Sequence, residues 1–249
     1  MTEQLAATSM SDLDAMTQAY DEVHVLDNQL MHEWYPQRVI GMASGGSLLE
    51  LGLGHGHSTS VFARHFKRYR VIEGSPDMIA RFRQRFGFAD LDIVHSYFET
   101  FDTSERFDHI AMGFILEHVD DPALVLRRFL PFLAPGGSVF VAVPNAESLH
   151  RRLGHAAGML PDMTVLSEGD RQFGHQRYLS LATLTELVTG QGYEVVKSEG
   201  ILLKPITTNQ MHQLALSPEI LQALLKVGVD YPELSNSILM QIRPRQEQA

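Results

Sequence analysis

Residues 48–66, LLELGLGHGHSTSVFARHF, set a buried strand, a glycine-rich turn and a helix end to end. Leu48 and Leu49 are apolar on consecutive positions, as in a parallel strand covered on both faces. Gly52, Gly54 and Gly56 then follow Glu50 as E-x-G-x-G-x-G. Glycine lets the backbone reverse sharply and lets a ligand lie against bare main chain. The dinucleotide fingerprint G-x-G-x-x-G needs its last glycine one place later, where His57 stands. Ser58 or Thr59 can cap the following helix, whose inner face reads Val61, Phe62, His65 and Phe66. A second strand, Arg70-Val71-Ile72, ends in Glu73, where an open α/β sheet places the carboxylate that accepts ribose hydroxyls. Strand, turn, helix and strand in this order predict a nucleotide pocket.

The remaining elements alternate as a doubly wound sheet requires. Ser75-Pro76 supplies a cap and a first-turn proline, Met78, Ile79, Phe82 and Phe86 form an apolar stripe, and Gly87 stops the helix. LDIVH (91–95) reads as the third strand and FDHIAMG (107–113) as the fourth. Asp121-Pro122 opens a helix with Leu124, Val125, Phe129 and Leu133 inward. Pro135-Gly136-Gly137 turns the chain into the fifth strand, SVFVAV (138–143). Ser180 caps a helix using Leu184, Leu187 and Val188, YEVVKSEG (193–200) is the sixth strand, and Ile238 to Ile242 suits a seventh. The basic runs RFRQRF (81–86) and LRR (126–128) fall on predicted helices as solvated faces. Three segments stand outside this core: residues 1–40, helical with amphipathic aromatics in LDNQLMHEWY (26–35); residues 146–179; and residues 201–235, with a capped helix starting at Ser217-Pro218. Insertions this long in a compact domain usually carry function.

At 249 residues the chain can form one domain spanning 1–249 with modest insertions. No apolar run approaches the roughly eighteen residues of a membrane span. The first residues, MTEQLAATSMSDLDAM, lack a basic-plus-apolar leader, so a cytoplasmic protein with no membrane partner is expected. Cysteine is absent, which removes disulfides, thiolate nucleophiles and Cys-based zinc sites. A formal charge of −10 argues against a nucleic-acid partner, since backbone binding needs a positive surface.

Four ordered segments, ELGLGHG (50–56), VIEGSPDMI (71–79), FDHIAMGFILEHVDDP (107–122) and LAPGGSVFVAVPN (133–145), resemble the class I S-adenosylmethionine-dependent methyltransferases. The resemblance is nearest the branch of ubiquinone-biosynthesis O-methyltransferases and many small-molecule and sugar methyltransferases. It continues more weakly through GHQRYLSLATLTELVTGQGYEVV (174–196). It implies an α/β fold: a Rossmann-like, doubly wound, seven-stranded sheet with an antiparallel last strand. A helical N-terminal lid (1–40), a donor-binding core (45–145) and inserted cap segments (146–179 and 201–235) that form an acceptor pocket would complete it. It also implies S-adenosyl-L-methionine as donor and S-adenosyl-L-homocysteine as product. The acceptor would be a metabolite, heteroaromatic or sugar, methylated on oxygen or nitrogen by in-line transfer, in a monomer or homodimer.

On the same resemblance, Gly52, Gly54 and Gly56 line the methionine portion of the donor, with Glu50 nearby through water or the donor's amino group. Glu73 binds the ribose, and Gly74, Ser75 and Met78 lie along the adenosine. Relatives often carry glycine-aspartate after the third strand, the aspartate meeting the adenine amino group. Here Ser96-Tyr97-Phe98-Glu99 stands instead, so adenine recognition is expected from main-chain groups around Tyr97 and stacking on Phe98. Met112, Gly113 and Phe114 end the fourth strand beside the sulfonium, where carbonyls and a ring face suit a cation.

Methyl transfer rests on alignment and water exclusion more than on acid–base groups. Where a base is used, histidine is the best candidate, because its neutral form accepts a proton near neutral pH. His118, in LEHVDD, is the first candidate, or else a packing residue that orients its loop. His175, in GHQRY, is the second; it can also bind the acceptor or cap a turn. His32, His150 and His155 read as surface or helix residues. His55 and His57 share one turn without carboxylate or thiolate partners, so no metal is expected. Tyr20 and Trp34 can close over donor and acceptor as a lid, or pack in a core. Lys204, in LLKPITTNQM, can neutralise an acceptor oxyanion or stay solvated. Two other classes compete: a nicotinamide-dependent oxidoreductase, disfavoured by the glycine spacing, and a non-catalytic donor-binding module, disfavoured by the insertions.

Overall fold

A computed structural model of the chain describes residues 25–246. Tyr20 falls outside them, so the helical segment expected over 1–40 is seen from α1 (Val25–Met42) onward. Seven strands form one sheet: β1 (Ser47–Leu51), β2 (Arg68–Glu73), β3 (Asp92–His95), β4 (Phe107–Gly113), β5 (Leu133–Pro144), β6 (Tyr193–Ile201) and β7 (Ser237–Pro244). Their spatial order is β3-β2-β1-β4-β5-β7-β6. β1 to β5 pair in parallel, and β7 runs antiparallel to both β5 and β6. This is the doubly wound sheet with an antiparallel last strand that the resemblance implies. The order reverses between β1 and β4, and open sheets of this kind bind ligands outside the carboxyl ends of the strands at such a switch.

Strand alternation divides the apolar residues between two faces. Leu48, Val71, Ala111 and Phe140 join α1, α2 (His57–His65) and α3 (Pro76–Phe86) through Tyr35, Phe62 and Phe82. Leu49, Ile72, Ile110 and Val141 join α4 (Pro122–Phe129) and α7 (Leu181–Gly190) through Val125, Phe129, Leu184 and Val188. Burying each such side chain is worth about 1.5–3 kcal/mol. On α4, Leu126 faces inward, so the LRR run presents only its arginines outward.

Three local expectations are corrected. The inner face of α2 is Thr59, Phe62 and Phe66, and His65 points to solvent. Neither Ser58 nor Thr59 caps α2. The cap position is Gly56 in the left-handed region, and both hydroxyls donate to Glu50, a buried carboxylate that would be costly without donors. Pro135–Gly137 does not precede β5 but lies inside it, as an irregularity between the Phe107–Leu133 and His109–Ser138 pairs. A methyl at Gly137 would stand 2.6 Å from the Asp108 carbonyl, so the looped-out strand needs glycine there.

The insertions are partly helical. Residues 146–179 carry α5 (Leu149–Ala156) and α6 (Glu168–Gln172). Residues 201–235 carry α8 (Thr208–Leu214) and α9 (Pro218–Gly228); Ser217 stands at the start of α9 without its side chain capping a backbone amide. Two contacts, at Tyr35 and Arg38, are prominent among those that fix α1 to the sheet. The Tyr35 ring fills the space over Gly113, where a methyl would sit 2.8 Å from it. Arg38 forms a two-pronged ion pair with buried Glu199 on β6, at 2.8 and 2.7 Å. Among the described residues, no helix is long and apolar enough to cross a membrane.

Candidate active site

The turn after β1 needs each of its glycines for a different reason. All three have positive φ: 78° at Gly52, 48° at Gly54 and 78° at Gly56. At Gly52 the amide donates to the Ile72 carbonyl at 2.8 Å, and a methyl would meet Ile115 at 2.8 Å. Nothing lies within 4 Å of a methyl built at Gly54, which opens onto a cavity. Gly56 faces away from it, with Phe86 and Phe82 only 2.6 and 2.7 Å from where a methyl would be.

Two buried glutamates flank the turn. Glu50 accepts from Ser58 at 2.9 Å, from Thr59 at 2.7 Å and from the Tyr69 hydroxyl. Burial raises its pKa to about 7 against the pull of those donors. Glu50 therefore clamps the turn from behind and does not line the cavity. Glu73, at the tip of β2, does. Its oxygens accept the Leu53 amide at 2.9 Å and the Ser75 amide at 2.8 Å. Burial still raises its pKa.

The cavity is about 480 Å³ and runs from this turn, past the end of β4, to the two insertions. Its first half is lined by Gly52, Gly54, Glu73, Ser75, Met78, Phe98, Gly113 and Phe114. Phe114 is left-handed at φ 59°, an uncommon state for a residue with a side chain, and its amide donates to the Ala142 carbonyl at 2.8 Å. Its ring meets His32 and Tyr35 edge-on, at 5.4 and 5.9 Å between centroids. His32 is thus not a surface residue: it lines the cavity 4.9 Å from the His55 ring. Burial and the neighbouring His55 and His57 lower its pKa to about 3. Gly56, Gly74, Tyr97 and Trp34 do not line the cavity. The Gly74 carbonyl meets His95, the Tyr97 carbonyl closes a turn with Thr100, and Trp34 packs against the core with α1. Met112 is buried in the core on the α4 side of the sheet.

The second half is polar and built by strapping GHQRY onto LEHVDD. The Gln176 amide donates to the Glu117 carbonyl at 2.8 Å, and its side chain donates to the His118 carbonyl at 2.7 Å. The Arg177 guanidinium donates to the carbonyls of Leu116 at 2.9 Å, Asp120 at 3.1 Å and Val119. The strap brings the His175 ring edge-on to His118, 4.8 Å between centroids. Burial, then the nearby His175, lower the His118 pKa to about 3, while burial raises Glu117 to about 7. Asp170 lies 3.4 Å from His175 Nδ1 and accepts from Ser167 and Tyr178. Burial alone would raise its pKa; those partners hold it well below the usual carboxylate range.

From the insertions, Lys204 is buried in the cavity wall with Nζ 3.1 Å from the Thr208 hydroxyl. His150 is a helix residue of α5, as read, but the helix turns it into the cavity wall, and burial lowers its pKa to about 3. Arg151 stacks on the Tyr178 ring at 4.1 Å and donates to the Met163 and Val165 carbonyls. His155 is exposed, with Nδ1 2.9 Å from the Leu160 carbonyl. Glu117 and Asp170 were not singled out from the sequence. The signal for the first was its place beside His118; for the second, the S-x-x-D pattern of a helix cap at Ser167.

Comparison with known proteins agrees with this geometry. The profile of a family described as a methyltransferase domain matches residues 29–198. A protein of Mycolicibacterium smegmatis named "probable S-adenosylmethionine-dependent methyltransferase" is 26% identical over 171 residues, covering 68% of this chain and 60% of the relative. Nodulation protein S of Rhizobium tropici is 31% identical over 137 residues, covering 52% of this chain and 57% of the relative. The chain therefore spans less than two thirds of the length of these two relatives. The N-methyltransferase NodS of Bradyrhizobium japonicum, solved with S-adenosyl-L-homocysteine, has the same fold at 17% identity and a TM-score of 0.58, covering 94% of this chain and 98% of that one. The chain belongs to the methyltransferase-domain family, within the class I S-adenosylmethionine-dependent methyltransferases.

Proposed function

We propose that this chain transfers the methyl group of S-adenosylmethionine to a small polar acceptor. One observation carries the reading: a single cavity has a glycine-turn end bounded by Glu73 and a polar end bounded by Glu117, His118 and His175. Its volume of about 480 Å³ lies within the range of small-molecule sites.

The residues present fit the donor. Glu73 takes backbone amides of Leu53, Ser75 and Gly74, and an ionised carboxylate with about four acceptor sites keeps capacity for a ribose hydroxyl. Gly54 offers bare main chain, Met78 and Phe98 offer apolar faces for a base, and the Phe114 ring suits a cation. Bound there, the donor supplies a methyl carbon made electrophilic by its sulfonium. The protein's part is alignment of donor and acceptor, which is worth several kcal/mol, on the order of 7 or more at best.

At the other end, His118 and His175 act on the acceptor, and Lys204 sits where it can meet developing negative charge on it. Residues 146–179 and 201–235 supply this acceptor pocket, residues 45–145 hold the donor, and the whole forms one domain. A small molecule is favoured over a nucleic acid by the formal charge of −10. Titration calorimetry with S-adenosyl-L-homocysteine tests the reading. Saturable binding of one equivalent supports it, and absence of heat with folded protein overturns it.

A further inference from the structure

Glu117 is 1% exposed, and neither of its carboxylate oxygens accepts a hydrogen bond from another described residue, its own backbone amide being the one nearby donor. A carboxylate taken from water without partners costs on the order of several kcal/mol, so such a group calls for a cation or a donor. Arg177 is close enough to act on it electrostatically, but its guanidinium is committed to the carbonyls of Leu116, Val119 and Asp120.

His118 and His175 complete a triangle with it. One ligand-capable atom from each of the three residues lies within 4.8 Å of the others. Even the widest such triangle has its centre within about 2.8 Å of each corner, so roughly 0.7 Å of side-chain movement reaches the ~2.1 Å bonds of a zinc-type ion. Both rings are oriented from outside the triangle. The His118 ring lies against the Gly174 backbone, and His175 Nδ1 stands 3.4 Å from Asp170, an ion-pair distance that a small ring movement turns into a hydrogen bond. Asp170 is itself held by the Ser167 hydroxyl at 2.6 Å, the Ser167 amide at 2.7 Å and the Tyr178 hydroxyl at 3.0 Å. A histidine anchored through one nitrogen by a carbonyl or carboxylate presents the other as a ligand, which is the usual outer shell of a metal-binding imidazole.

We propose that Glu117, His118 and His175 bind a divalent first-row transition-metal ion at the polar end of the cavity. Two imidazoles and one carboxylate suit zinc, manganese or cobalt, and three protein ligands leave coordination positions open. Those positions face the cavity, where an acceptor hydroxyl or carboxylate oxygen completes the shell; this role rests on the methyl-transfer reading, whereas metal binding does not. The sequence reading expects no metal because it weighs only His55 and His57. This set joins neighbours in LEHVDD to a histidine far along the chain.

The test is titration of the full chain, tag removed and stripped with chelator, with cobalt chloride. Visible d–d bands saturating at one equivalent are expected. Glu117→Gln and His175→Asn should each weaken cobalt binding more than tenfold, while His155→Ala, at an exposed histidine, should not. Homocysteine-cofactor calorimetry on the same samples verifies that the variants are folded. Absent bands in the unmodified chain, or bands that persist in folded Glu117→Gln and His175→Asn, overturn the site. A chain that binds S-adenosyl-L-homocysteine but no cobalt loses the metal and keeps the methyl-transfer reading; the reverse result loses the latter alone.

Discussion

Glu73 accepts the Leu53 amide at 2.9 Å, which ties the tip of β2 to the glycine turn after β1. The same carboxylate takes the Ser75 amide at 2.8 Å, so one group fixes both walls of the glycine-turn end of the cavity. Replacing Glu73 with alanine should weaken S-adenosyl-L-homocysteine binding more than tenfold by calorimetry, since charge-assisted hydrogen bonds contribute about 1.5–3 kcal/mol each. Near-unchanged affinity refutes the ribose role.

Glu50 gives a pH prediction. Its folded pKa, about 7, lies above the usual 4.5, so the folded state favours the protonated form. Its contribution to stability is complete below pH 4.5 and lost as pH rises through about 7. Glutamine keeps the acceptor oxygen without the charge. Glu50→Gln should therefore gain stability relative to the unmodified chain as pH rises from about 4.5 to 7, read as urea midpoints at several pH values. A constant difference across that window contradicts the assignment.

Two glycines of one turn should respond differently to alanine. Gly56→Ala sets a methyl against Phe82 and Phe86 as well as straining φ, and should cost about 1–3 kcal/mol, seen as a melting temperature lowered by several degrees. Gly54→Ala meets no protein atom. It should lose only about 1 kcal/mol of stability from its φ, yet bind the donor product far more weakly, because its methyl projects into the cavity. Equal stability losses in both would show that crowding at Gly56 is relieved by its neighbours.

His118→Ala should lower kcat on any accepted substrate by at least about 100-fold, the range of a group acting on a reacting atom, while donor affinity holds. If donor affinity collapses as well, His118 is a packing residue of the donor half.

Arg177 does not itself line the cavity but bonds three carbonyls of the segment that carries Glu117 and His118. Arg177→Ala should reduce kcat about tenfold or more with little change in donor affinity, and Arg177→Lys should recover only part of it, because an ammonium cannot replicate the fork. Wild-type kcat in Arg177→Ala would deny the strap any role in positioning.

What the sequence made legible was whatever rests on local periodicity and turn chemistry. Paired leucines in β1, glycines at fixed spacing and Glu73 at the end of β2 are contiguous signals, and they locate the glycine-turn end of the cavity. The polar end depends on contacts between distant segments. His32 and His150 look like helix-surface residues along the chain, and only the packing of α1 and of residues 146–179 over the sheet turns them inward. Ser58 and Thr59 satisfy every local rule for a cap, yet the buried Glu50 carboxylate is the stronger claim on their hydroxyls. His65 has the helical spacing of an inner-face residue, but α2 is rotated so that Thr59, Phe62 and Phe66 meet the sheet instead.

The attachment of α1 decides which part of the rim can serve as a doorway. With Tyr35 seated over Gly113 and Arg38 gripping Glu199, the stretch from Met31 to Arg38 is a static jamb. Among the described residues, the rest of the rim is built from the inserted segments and the turns after β1, β2 and β3, and a hinge sought by engineering belongs there and not in the helix.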